Sequence, residues 1–136
     1  MTLKERYFGL QTILKACGNE GCHFLTLCSI IEEVNKKPLD LIEAIRIAQS
    51  KGWFDSEFYG KAADLFLNHF TGKKWHRKKV ELLPKDIKDN EYTEAIYFNP
   101  RTEFCHYRRR GFDTIIDSVT VKEGYIIGYY IWYYEE

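Results

Sequence analysis

The chain has 136 residues, enough for one ordinary domain with a real core and too few for two. Lys plus Arg (20) equals Asp plus Glu (20), so no global field draws nucleic acid or an anionic membrane, and any such partner would need a local patch. An apolar fraction of 45% and an aromatic fraction of 16%, with three prolines, exclude a disordered chain.

Leu3, Tyr7, Leu10 and Leu14 have helical spacing and predict a first helix over residues 3–16, which Cys17-Gly18-Asn19-Glu20-Gly21 breaks. Asn19 is a candidate N-cap, placing Cys22 in the first turn of a second helix that runs to about residue 35 with Leu25, Leu27, Cys28, Ile31 and Val34 inward. Pro38 and Asp40 open a third helix with Leu41, Ile42, Ile45 and Ala48 inward, closed by Gly52. Asp55 or Ser56 caps a fourth, running to His69 and ending near Gly72.

From Trp75 the pattern changes to strands over residues 80–83, 93–98, 102–108, 112–121 and 125–134, separated by Pro84, Asn99-Pro100, Arg110-Gly111 and Glu123-Gly124. Helices followed by an antiparallel meander predict one α+β domain, residues 1–136, with N-terminal helices packed on a C-terminal antiparallel sheet. The last run, Tyr125 to Tyr134, is apolar on both alternating faces. It is therefore either central in the sheet or covered by a second subunit in a homodimer, with Gly128 marking a bulge.

Met1 to Tyr7 is charged where a secretory signal needs an apolar core, and no stretch approaches about 18 uninterrupted apolar residues. The expected compartment is the cytoplasm, without a membrane partner. There Cys17, Cys22, Cys28 and Cys105 are held as thiols, each to be explained as core, ligand or nucleophile. Cys28 falls on an apolar helix face and Cys105 alternates with His106, so both are assigned to packing. Zinc on Cys17, Cys22, His23, Cys28, Cys105 and His106 is disfavoured: there is no C-x-x-C pair, and Cys105 and His106 alternate along a strand.

Three clusters suit thiol acyl-transfer chemistry: Gly21-Cys22 at a helix start, His106 on a strand, and Asp113 past the next turn. A thiol titrates at about pH 8.5 unless a helix N-terminus or an imidazolium lowers it. With a two- or four-residue loop at Arg109-Arg110, His106 and Asp113 stand opposite each other with Cβ atoms about 5 Å apart; a three-residue loop separates them onto opposite faces. Taken singly, Cys22, His106 and Asp113 each have an ordinary packing or surface explanation.

Gly21-Cys22-His23-Phe24-Leu25-Thr26-Leu27, His106-Tyr107, Phe112-Asp113 and residues 118–126 resemble a family of small proteins of bacterial genomes, plasmids and phages. Its members are similar to papain-like cysteine peptidases of the bacteriocin-processing type. The resemblance spans roughly residues 21–133 and implies a papain-like fold, with Cys22 as nucleophile, His106 as general base and acid, Asp113 as the orienting carboxylate, and no cofactor. Peptidases of that type carry an oxyanion glutamine six residues before the cysteine, where this chain has Ala16. Gln11 or Asn19 then becomes the candidate donor. The family's tryptophan-aspartate-proline is here Phe112-Asp113-Thr114.

Lys73-Lys74-Trp75-His76-Arg77-Lys78-Lys79 and Arg108-Arg109-Arg110 are the basic clusters, expected as a solvated loop and a hairpin tip. As an anion clamp, Arg108, Arg109 and Arg110 would bind an acidic substrate tail. The leading expectation is a thiol hydrolase cleaving an amide or peptide bond of a peptide or protein substrate. The alternative is a non-catalytic papain-like binding module, an accessory protein capturing a host protein or a small anionic ligand.

Overall fold

The computed structural model describes residues 21–103, 105–109 and 124–136, with positions 21, 106, 108 and 109 described by their backbone alone. The expected helix over 3–16, the Asn19 cap and the expected strand over 112–121 lie outside the described residues. Among the described residues three helices precede four strands, an α+β arrangement: α1 (Gly21–Asn35), α2 (Leu41–Ser50), α3 (Ala63–Thr71), β1 (Trp75–Val80), β2 (Glu91–Phe98), β3 (Cys105–Arg109) and β4 (Tyr125–Tyr134).

The helices owe their limits to local chemistry. Asp40 caps α2 by accepting from the Glu43 amide at 3.1 Å, and Gly52, at φ 72°, follows its C-terminus. Gly72, also at φ 72°, ends α3 and donates its amide to the Asn68 carbonyl. The buried face of α2 is Leu41, Ala44 and Ala48, whereas Ile42 is 62% exposed. The expected inward position of Ile42 is thus corrected: small alanines bring the helix close, and the isoleucine is left outside the contact.

Asp55 does not open a helix. Its Oδ1 accepts from the Glu57 amide at 2.9 Å and the Tyr59 amide at 3.0 Å, folding a turn instead, and α3 begins only at Ala63. Within that turn Phe58 adopts φ 64° and is fully buried against Phe24, ring centroids 5.1 Å apart. Burial of the ring offsets the strain of a bulky residue in the left-handed region. Phe24, Phe54, Phe58 and Phe66 form the aromatic centre of the core between the helices.

The sheet is antiparallel with order β1-β4-β2-β3, so the expected meander is corrected: β4 inserts between β1 and β2. A strand apolar on both faces takes the interior place, as expected for the last run. The register of β2 against β4 shifts between Ile96 and Tyr97, beside Gly128, where a bulge was expected; a Cβ on Gly128 would lie 3.2 Å from the Val80 carbonyl.

The first strand begins at Trp75, not at residue 80, so the lysine-rich segment is corrected from a loop to strand β1. Trp75 anchors it, its amide donating to Asn68 Oδ1 and its indole to Thr71 Oγ1, both at 2.7 Å. Among the described strands β1 is an edge, and its charged side chains discourage further pairing.

Glu91, at the start of β2, accepts from the Lys88 amide at 2.9 Å and from Lys78 Nζ at 3.3 Å. The Lys88 amide foremost, then Lys78, holds its carboxyl below the usual carboxylate range despite its partial burial. A lowered folded-state value stabilises above the ordinary carboxylate range and is lost as pH falls through it. Glu91→Gln is expected to cost about 1 kcal/mol at pH 7. Denaturant titration should show this cost shrinking as pH falls through and below the ordinary carboxylate range.

Candidate functional site

Cys22 is the second described residue of α1 and is 6% exposed, and Cys28, further along the helix, is fully buried. Cys22, Cys28 and Cys105 are not joined to one another by disulfides. The strand carrying His106 packs against this helix through Tyr107, whose ring centroid is 4.9 Å from that of His23. Pairing of β2 with β3 matches Tyr107 to Ile96 and Cys105 to Phe98 in one row, and position 106 to Tyr97 in the alternate row. The structure thus brings the helix bearing Cys22 to the row of Tyr107.

Positions 108 and 109 pair with Ala95 and Glu94. Gln11, Asn19, Arg110 and Asp113 lie outside the described residues. Among the described residues, no three His, Cys, Asp or Glu side chains are grouped to hold a metal ion.

The residues beside Cys22 build a different constellation. His23 Nδ1 is 2.7 Å from Glu94 Oε2, and the Trp132 indole N–H donates to Glu94 Oε1 at 3.1 Å. Glu94 is fully buried and His23 is 8% exposed. Three elements supply these groups: α1 gives the imidazole, β2 the carboxylate and β4 the indole. An acceptor-only carboxylate whose two oxygens meet two N–H groups is satisfied, which is what its burial requires. Aromatic rings surround the imidazole, with Phe54 at 5.9 Å and Trp132 at 6.3 Å between centroids.

The other edge of the imidazole meets Gly60. A Cβ built there would lie 3.3 Å from His23 Cδ2 and Nε2, so the absence of a side chain gives the ring its room. The Asp55 turn and the pairing of Gly60 with Phe54 fix this approach.

Here a cleft of about 440 Å³ opens between the 60–64 segment and strands β1 and β4. His23 forms part of its wall, with Lys61, Asp64, His76 and Arg77 supplying charge or polarity. Its size lies in the usual range for small-molecule pockets, about 300–1,000 Å³.

The Arg77 guanidinium sits 4.4 Å over the Tyr130 ring and 5.6 Å from the Trp132 ring. Lys61 Nζ is 4.0 Å from Asp55 Oδ2, a long and exposed pairing worth little. His76 Nε2 is 2.8 Å from Glu135 Oε1. That contact foremost, then Lys74, holds the Glu135 carboxyl below its usual range.

No family model, curated protein or solved structure matches the chain.

Sequence reasoning passed over Glu94 and weighed His23 only as a metal ligand. The available signal was a carboxylate in the middle of a strand, between Tyr92 and Ile96 in the row that faces the helices. Removing one member of a buried pair strands the other. Glu94→Ala is expected to destabilise the fold by about 3 kcal/mol, measured as a lowered urea midpoint with the slope unchanged.

Proposed function

We propose that this chain is a papain-like binding module that captures a small anionic ligand in the cleft beside His23, working in the cytoplasm. The observation that carries the reading is the cleft itself: Lys61 and Arg77 share its lining with a nine-tenths-buried imidazole, and Asp64 is the carboxylate among the lining residues. Guanidinium and ammonium groups at the mouth of a polar cleft attract phosphate and carboxylate groups. Support for the papain-like architecture comes from the order of helices before an antiparallel sheet, and from a thiol-bearing helix packed on that sheet. Among the described residues no helix is long and apolar enough to cross a membrane.

A second reading, the thiol hydrolase with Cys22, His106 and Asp113, is favoured by one observation: the helix that carries Cys22 packs on β3, the strand that carries position 106. Against it stands the strand register, which sets position 106 one row away from the row that meets the helix. A one-residue slip of β3 would exchange those rows.

Two measurements separate the readings. In the binding module, inorganic phosphate should shift the amide resonances of Lys61, Asp64 and Arg77, and Lys61→Ala should weaken binding roughly twofold to fivefold, the worth of one exposed ion contact. Iodoacetamide labelling of Cys22 should then be slow below pH 7 and unaltered in His106→Ala. Fast labelling of Cys22 at low pH that disappears in His106→Ala would instead establish the thiolate–imidazolium pair and the hydrolase.

A further inference from the structure

The proton positions within the buried Trp132–Glu94–His23 chain define what the cleft can recognise. An indole nitrogen only donates and a carboxylate only accepts. Trp132 therefore occupies Glu94 Oε1, and the 2.7 Å contact at Oε2 takes its proton from His23 Nδ1. In a neutral imidazole the second nitrogen, Nε2, then carries a lone pair and no proton. Among the described residues nothing donates a hydrogen bond to Nε2, although the residue is 8% exposed and lines the cleft. Gly60 leaves the ring edge room on that side.

A partly buried acceptor needs a donor, and a fully ionised anion has none to give. We infer that the cleft takes a small anion bearing a hydroxyl group beside its charge, the hydroxyl donating to His23 Nε2 while the charge lies against Lys61 and Arg77. This rests on the anion-binding reading above and narrows it to hydroxylated phosphates or carboxylates. The remaining ionisable groups are compatible with it. Asp64 can accept from a further hydroxyl, and His76 is engaged with Glu135.

The test compares glycerol phosphate with methyl phosphate, equal in charge and different in hydroxyl groups, by amide-shift titration of the full chain. At about pH 8.5 an ordinary imidazole is neutral. Glycerol phosphate is expected to bind roughly fivefold tighter, the worth of one hydrogen bond. Ring nitrogen shifts of His23 should report a proton on Nδ1 alone.

Glu94→Gln supplies the control. The glutamine oxygen must accept from Trp132, so its NH₂ faces His23 Nδ1, moves the imidazole proton to Nε2 and abolishes the preference. Equal affinities in the native chain, with the Lys61 and Arg77 shifts retained, would overturn the hydroxyl inference and leave the anion site standing. So would a native ring protonated at Nε2, a result independent of whether the Glu94→Gln chain folds. Absence of any shift with either ester would remove both.

Discussion

One buried carboxylate ties the two layers of this protein together. Glu94 sits in the helix-facing row of β2, fully removed from water, and each oxygen meets a nitrogen from a different element, His23 on α1 and Trp132 on β4. Burying such a group unpaired would cost several kcal/mol, on the order of the stability of a small domain. Helix and sheet therefore dock at one register and orientation. A purely apolar contact would allow sliding; two hydrogen bonds to one carboxylate permit little.

The same carboxylate joins architecture to recognition. Orientation of the His23 ring follows from its contact with Glu94, and the ring's far edge forms a wall of the cleft. On the other side of that cleft, the turn built on Asp55 holds Phe58 in a left-handed conformation and delivers Gly60 against the imidazole. Strain in the backbone, burial of an aromatic ring and omission of a Cβ thus serve one geometric end. Tyr107 closes the ring's surroundings from β3.

Much of this fold was legible in the sequence because its signals are local. Asp40 as a cap and Gly72 as a left-handed stop depend on a few neighbouring residues, as does the apolar face of α1. Strand order was not legible, because pairing is a long-range choice: the run from Tyr125 announced an interior strand without naming its neighbours. Trp75 was taken for a loop residue because the lysines and arginine after it masked a strand whose anchors, Asn68 and Thr71, lie on the preceding helix. Likewise the candidate site was half visible. The helix that carries Cys22 could be read directly. Glu94, 71 residues from its imidazole partner, acquires meaning only when the sheet is assembled.

The interior position of β4 also bears on how the chain assembles. Both of its neighbours, β1 and β2, precede it in sequence, and neither pairs with the other. Until Tyr125–Tyr134 docks, β1 and the β2–β3 pair have no common partner among the described residues, and Glu94 lacks the indole of Trp132. The sheet should therefore close late and cooperatively, through contacts between distant parts of the chain whose loop-closure entropy slows folding. Before that closure, the open sides of β1 and β2 are exposed to pairing with other chains, which makes concentration during refolding the variable most apt to decide between the native sheet and an intermolecular one.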